Sequence, residues 1–399
     1  MSLRTNPPLR NFLLTSTGLA ICLAFGAIPR LDPKARLEEV RIQLAQGLKA
    51  HQDSLSFPRS TRPDGSLANV SSREWTSGFY AGNLWQMYEY TQDEAWAAAA
   101  RRWSAGLEKE QYNTHTHDLG FILYCSFGNG YRLTNNPAYK AILIQGAKSL
   151  STRFNKKTGC IRSWDHGKWQ FPVIIDNMMN LELLCWATKV TGDSSFYKIA
   201  VTHANTTLKN HFRADNSSYH VVNYDTLTGN VLERVTAQGY ANESAWARGQ
   251  AWGLYGYTVM YRETKDTRYL EQAVKIAAFI LNNPHLPSDK IPYWDYNDPA
   301  IPNTERDVSA AAIAASGLLE LSEYARNGEK YMAAATQILQ SLGTPAYQAK
   351  PGENNYFVLM HSVGHKPAKS EIDVPIIYAD YYYIEGLMRY QKLKGSRKK

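Results

Sequence analysis

Cysteine is scarce. The 399-residue chain has four, and Cys125, Cys160 and Cys185 are too widely spaced for a disulfide framework or a zinc pattern. Cys125 and Cys185 lie in apolar helical runs and read as buried thiols. No His/Cys/Asp cluster has metal-ligand spacing, so no metal cofactor is expected. Beyond residue 27 no apolar run is long enough to cross a bilayer, so the chain is not expected to span a membrane. No basic run is interleaved with aromatics, which removes nucleic acid as a partner. The tail "KLKGSRKK" reads as a solvated terminus. Strand-like alternation is scarce apart from "SSYHVVNYD" (217–225) and its surroundings.

Residues 1–27 read as a secretory signal. Arg4 and Arg10 precede "NFLLTSTGLAICLAFGA", an apolar stretch ending in small residues. A secreted or periplasmic location follows. A lipid anchor at Cys22 is the lesser reading, because Ile21 is too bulky for a lipoprotein site. The formal charge of +8 stays positive without the signal, which removes two arginines and no acid. A basic surface suits an anionic ligand.

The most informative feature is a repeat. A helix ends, a short turn follows, and an aromatic opens the next helix: "YEYTQDEAW", "GYRLTNNPAY", "WATKVTGDSSFY", "MYRETKDTRY" and "SEYARNGEKY". Thr91, Thr134, Thr191, Thr264 and Arg326 occupy equivalent positions. Five residues after each comes an aromatic: Trp96, Tyr139, Phe196, Tyr269 and Tyr331. A sixth helix, "YADYYYIEGLMRYQKL", repeats the first half of the unit and runs out near the C-terminus. The pattern predicts an all-α chain, a single (α/α)6 barrel over residues 33–395 with inner and outer helix rings. An open α-solenoid is the rival.

The first helices of the units begin near "EWTSGF", "THDLGF", "IIDNMMN", "AWARGQAW", "RDVSAAAI" and "YADYYYIE". As parallel inner helices they would bring Asp118, Asp176, Arg248, Asp307 and Asp380 to one mouth, with Trp75, Trp246 and Trp252. Carboxylates, an arginine and indoles around one cavity describe a carbohydrate site. Each also has a structural reading. Asp307 and Asp380 read first as caps or inter-helix hydrogen-bond partners, Trp75 as core, and Arg248 as the partner of a nearby acid. Asp118 and Asp176 stand out because His117 and Asn177 accompany them just before apolar runs.

At these residues the chain resembles the unsaturated glucuronyl hydrolases of glycoside hydrolase family 88. The resemblance covers about residues 35–392, through "WTSGFYAGNLW", "HDLGF", "IIDNMMNL", "SSYHVVNYD", "QGYANESAWARGQAWGLYGY", "DVSAAAIAASGLLEL" and "YADYYYIEGLMR" in that order. It implies an (α/α)6 barrel, agreeing with the repeat. It also implies an enzyme that removes a 4,5-unsaturated uronic acid from the non-reducing end of lyase-cut oligosaccharides, by hydrating a vinyl ether. By resemblance Asp176 is the general acid/base and Asp118 the second essential carboxylate. His117, beside Asp118, joins His220, Gln238, Trp246, Arg248 and Trp252 in the sugar subsite, and Trp75 and Trp164 are stacking aromatics. Lys366 and Ser362 in "HSVGHKP" lie where some relatives contact a sulfate on the next sugar. Ala237, before Gln238, departs from members that carry a histidine there, and Glu74 replaces an aspartate.

The chemistry calls for a carboxyl protonated at working pH, which burial and a neighbouring like charge would supply. The partners implied are anionic unsaturated oligosaccharides of glycosaminoglycan or ulvan type. Four rival readings share the sequence signals. One is an unsaturated galacturonyl hydrolase. Another is an inverting glycosidase with carboxylates about 6.5–9.5 Å apart. The others are a non-catalytic sugar-binding protein, and a toroid isomerase or epimerase, which would need paired histidines. Turnover of a saturated uronide, but not of the lyase product, would identify the inverting enzyme.

Overall fold

The repeated threonine turn has one construction. The side chains of Thr91, Thr134, Thr191 and Thr264 donate to the carbonyl four residues back. Each then accepts the backbone N–H two residues on. The residue between, Gln92, Asn135, Gly192 or Lys265, takes a left-handed conformation. The next, Asp93, Asn136, Asp193 or Asp266, caps the following helix with its side chain. The aromatic that follows is buried in all four, as is Tyr331 in the fifth unit. The fifth turn lacks the device: no side chain caps the helix that follows it.

The computed structural model describes residues 1, 31–51 and 53–396. The signal-peptide and Cys22 readings lie outside the described residues. Among the described residues there are twelve α-helices. Six, with short π or 3-10 extensions, form the inner ring: α2 (Ser77–Thr91), α4 (Asn129–Thr134) behind a π-helical segment Gly120–Gly128, α6 (Leu181–Thr191) behind a 3-10 segment Ile175–Asn180, α8 (Ala247–Thr264), α10 (Val308–Tyr324) and α12 (Ile377–Ser396). The outer helices are α1 (Pro33–Ala50), α3 (Glu94–Ala105), α5 (Pro137–Ser151), α7 (Ser194–Asn210), α9 (Thr267–Asn282) and α11 (Gly328–Leu342).

Each inner helix packs on the next, and α12 packs on α2, so the ring closes. The fold is the (α/α)6 barrel, not an open solenoid. The sixth hairpin pairs the two ends of the chain, with α1 covering α12. Inner helices are buried on nearly every face, whereas outer helices bury a stripe.

The turns from inner to outer helix are short, and the returns are long. The returns carry the strands: a hairpin of Phe57–Thr61 and Leu67–Val70, a short hairpin of Phe154–Asn155 and Cys160–Ile161, a sheet of Pro172–Ile174, Val221–Tyr224 and Val231–Val235, and a hairpin of Ser362–His365 and Ser370–Val374. They all lie at the N-terminal end of the inner ring. Cys125, Cys160 and Cys185 are free and buried.

Candidate active site

Asp176 is the second residue of the 3-10 segment before α6 and is 7% exposed. It caps nothing: its Oδ2 has no hydrogen-bond partner among the described residues. Burial pushes its carboxyl up to about 7, with the Arg248 charge opposing and the Asp118 charge adding to the rise. Asp118 ends the loop before the π-helical segment. Burial raises its carboxyl to about 6, against lowering by Thr116, Arg153 and Asn180. Thr116 Oγ1 donates to Asp118 Oδ2 at 2.8 Å. Two buried acids, both raised toward neutrality and Asp176 in part by the charge of Asp118, are set up for proton transfer.

Two histidines flank them. His117 Nε2 lies 3.2 Å from Asp118 Oδ1, and burial lowers its ring to about 3, so it is neutral. It sits behind Asp118 at 3% exposure. His220 Nδ1 accepts the backbone N–H groups of Ala237 and Gln238 at 3.0 and 3.1 Å. That fixes the proton on Nε2, 3.9 Å from Asp176 Oδ2. Burial also keeps His220 neutral.

The indoles divide by depth. Trp75 is half-buried, packed on Phe121 and Tyr378 with centroids 5.3 and 4.9 Å away. Trp246 is nearly buried, its ring 4.6 Å from His220. Trp252 is wholly buried and forms the floor with Phe121 and Tyr382. Trp164 stands apart on the loop 164–169. Gln238 Nε2 donates to Gly364 O at 3.1 Å, tying it to the 362–374 hairpin.

Arg248 is 1% exposed. Its guanidinium donates to Asp307 Oδ2 at 3.2 Å, to Val363 O, and to Gly364 O at 2.7 Å. It lies 4.4 Å from the Trp246 ring centroid. Asp307 also caps α10, and Asp380 accepts the N–H groups of Val358 and Leu359. Both acids have the structural role expected for them. Lys366 is spent on Thr304 at 2.7 Å, Asp298 at 3.3 Å and Glu305, and Ser362 is fully buried.

Sequence reasoning missed two groups, Tyr378 and Asn180, and saw Asn177 only as a polar neighbour of Asp176. Tyr378 turns a buried hydroxyl, unpartnered among the described residues, beside Trp75 and Arg248. Asn177 holds Ile161 O with its Nδ2 at 2.9 Å. Asn180 accepts the Phe121 N–H on its Oδ1 at 3.0 Å. The asparagines stood in the quoted "IIDNMMN", where their only signal was polarity inside an apolar run.

A cavity of about 910 Å³ opens at the opposite mouth, among the C-terminal ends of the inner helices. Its inner acids are held by arginines: Glu182 and Glu320 by Arg262, and Glu320 and Glu385 by Arg389. Asp118 and Asp176 do not line it.

Residues 52–268 match the sequence profile of Glycosyl Hydrolase Family 88. The chain is 49% identical over 342 residues to an unsaturated glucuronyl hydrolase of Formosa agariphila, covering 85% of each. It is 34% identical to an unsaturated chondroitin disaccharide hydrolase of Streptococcus pneumoniae, covering 84% of this chain and 86% of that one. A crystal structure of an unsaturated glucuronyl hydrolase specific for heparin superposes with a TM-score of 0.90 at 52% identity, covering 91% of this chain and 98% of that one. With this geometry and these relatives, the chain belongs to glycosyl hydrolase family 88, the unsaturated glucuronyl hydrolases.

Proposed function

We propose that the protein removes the terminal 4,5-unsaturated uronic acid from lyase-generated anionic oligosaccharides, with Asp176 as general acid and base. The observation that carries the reading is the Asp176 carboxyl, buried, without a partner on Oδ2 among the described residues, and raised to about 7. Protonated Asp176 delivers its proton to C4 of the enol ether, leaving positive charge on C5 and the ring oxygen. Water adds to C5 and returns a proton to Asp176. The C5 hemiketal then breaks its bond to the ring oxygen and becomes a ketone. C1, left as a hemiacetal, expels the next sugar as an alcohol and becomes an aldehyde. Ionised Asp118 orients the water and, by its charge, keeps Asp176 protonated. Asp118, His117 and His220 together hold the proton-transfer groups, while Trp75 and Trp164 offer open faces to sugar rings.

The relative at 52% identity is described as specific for heparin, which supports heparin-type fragments as the first substrates to try. Chondroitin, hyaluronan and ulvan fragments complete the panel. Secretion to the periplasm, after removal of residues 1–27, suits an enzyme fed by extracellular lyases. N-terminal sequencing of the periplasmic protein tests it.

The decisive experiment follows the C4=C5 ultraviolet absorbance in heavy water. Hydration consumes the absorbance, fixes one deuteron at C4, and in heavy-oxygen water places label first on C5. An inverting glycosidase would label C1 and leave the double bond, and products that keep their absorbance would sink the proposal. Binding without turnover across the panel would mark a sugar-binding protein instead.

A further inference from the structure

We infer that the loop 164–169 is a second sugar platform, which receives the third residue of the oligosaccharide, an acidic sugar one unit beyond the leaving sugar. The inference rests on the proposed function for its ligand class, and on the loop's own geometry for its place.

The loop runs beside both carboxylate-bearing segments. Ser163 N donates to Pro172 O at 2.9 Å, and Ile174 N to Ser163 Oγ at 3.0 Å, two residues before Asp176. Asp165 holds Arg153, which also donates to Thr114 O at 2.7 Å, four residues before Asp118. So the rim of the site is fixed at this point.

Three aromatic rings occupy these six residues. Trp164 and His166 stack with centroids 5.9 Å apart and planes at 25°. Trp169 tilts against Trp164 at 5.8 Å. Neither tryptophan packs against the hydrophobic core among the described residues. Both are half-buried, whereas His166 and Lys168 are exposed. Gly167 turns the tip at a φ of +83°, and a Cβ there would meet nothing within 4 Å. Large apolar side chains left outside the core mark a binding surface. Lys168 Nζ lies 5.7 Å from the Trp169 centroid, while the loop's acid, Asp165, is taken by Arg153 and Arg162. The free charge of the loop is therefore positive, and it sits on an aromatic face. In an alternating uronate polysaccharide the third residue from the cut end is again a uronate, with an apolar ring face and a carboxylate. Trp164 would take the second sugar, and Trp169 with Lys168 the third.

The test is a ratio of affinities, read by calorimetry in the Asp176→Asn protein so that turnover does not interfere. The probes are an unsaturated heparin disaccharide and the corresponding tetrasaccharide, with a chondroitin pair in parallel. The tetrasaccharide should bind about three- to tenfold more tightly, the range set by one aromatic contact. Trp169→Ala should bring the ratio close to one, and Lys168→Ala should lower it and weaken its salt dependence. Equal affinities in the parent protein overturn the inference. So does a Trp169→Ala change that weakens both ligands in proportion, or failure of both pairs to bind. Absence of disaccharide turnover by the native enzyme, with the affinity ratio intact, would defeat the hydrolase reading and leave the platform standing.

Discussion

His220 directs its Nε2 at the Oδ2 of Asp176 across 3.9 Å. The two backbone N–H groups on Nδ1 fix that tautomer, and burial keeps the ring uncharged. A neutral donor facing a buried acid leaves the carboxyl raised, whereas an imidazolium would hold it ionised. Burial of Asp176 is thus matched by burial of its neighbour.

Asp176→Asn should lower turnover by at least roughly 10²–10⁴-fold, because an amide cannot donate and recover a proton. The same change should stabilise the fold at alkaline pH. The folded carboxyl titrates at about 7 against an ordinary 3.8, so between those values the folded state holds the proton more tightly than the unfolded state. Stability from this group is full below pH 4 and is lost as pH rises through 7. Urea unfolding at pH 8 should favour the variant by up to a few kcal/mol, and the gap should close at pH 4. A variant no more stable at pH 8 than at pH 4, relative to the native protein, would remove the buried-acid assignment.

Asp118 has to be ionised while Asp176 is protonated, which gives a bell-shaped rate profile. Its acid limb should lie near 6 and its alkaline limb near 7, as macroscopic values of the coupled pair. Asp118→Asn should erase the acid limb. It should also move the alkaline limb down, since the Asp118 charge helps to raise Asp176. Rate measurements from pH 4 to 9 on both proteins decide it: a residual activity with both limbs in place would separate the two carboxylates.

What was legible in the sequence was what is local. The threonine turn and its aspartate or asparagine cap lie within three residues, so the repeat could be counted from letters alone. The pairing of α1 with α12 joins the ends of the chain and has no turn signal, so the sixth hairpin looked truncated. The carboxylates could be found because each interrupts an apolar run. The depth of the indoles could not: inner helices are buried all round, and nothing in the spelling separates half-open Trp75 from the floor residue Trp252. The hold of Arg248 on Val363 and Gly364, more than a hundred residues away, has no signal in the sequence, where only its match to the sugar subsite and a nearby acid could be read. Lys366, likewise, meets Asp298 and Glu305 only in the fold.

Arg248→Ala should therefore act first on the scaffold. The change leaves Asp307 buried without its cation and frees the carbonyls of the 362–374 hairpin. Breaking a buried pair costs about 3–5 kcal/mol, read as a fall in the chemical-unfolding midpoint. Asp176 should also titrate higher, because the Arg248 charge opposes its rise, and the alkaline limb of the rate profile should move up. Unchanged stability together with a raised KM alone would make Arg248 a direct ligand of the uronate instead.

Asn180 joins the two acid-bearing segments. It lies four residues beyond Asp176 and is fully buried. Its Oδ1 accepts the N–H of Phe121 at the start of the π-helical segment that follows Asp118. Gly120 is small because Asn180 presses on it: a Cβ there would lie 2.6 Å from the Asn180 Cα. Its Nδ2 has no acceptor within hydrogen-bond distance among the described residues, yet it faces Asp118 closely enough to favour that carboxylate. Departures from α-helical geometry of this kind recur at functional sites. Asn180→Ala should orphan the Phe121 N–H at about 1–3 kcal/mol and let Asp118 rise. The acid limb of the rate profile would then move toward the alkaline limb, narrowing the bell, with kcat reduced more than KM. Asn180→Asp should push Asp118 further in the same direction by adding a like charge. A loss of stability in both variants with the rate profile unmoved would leave Asn180 as packing for the π-helical segment and nothing more.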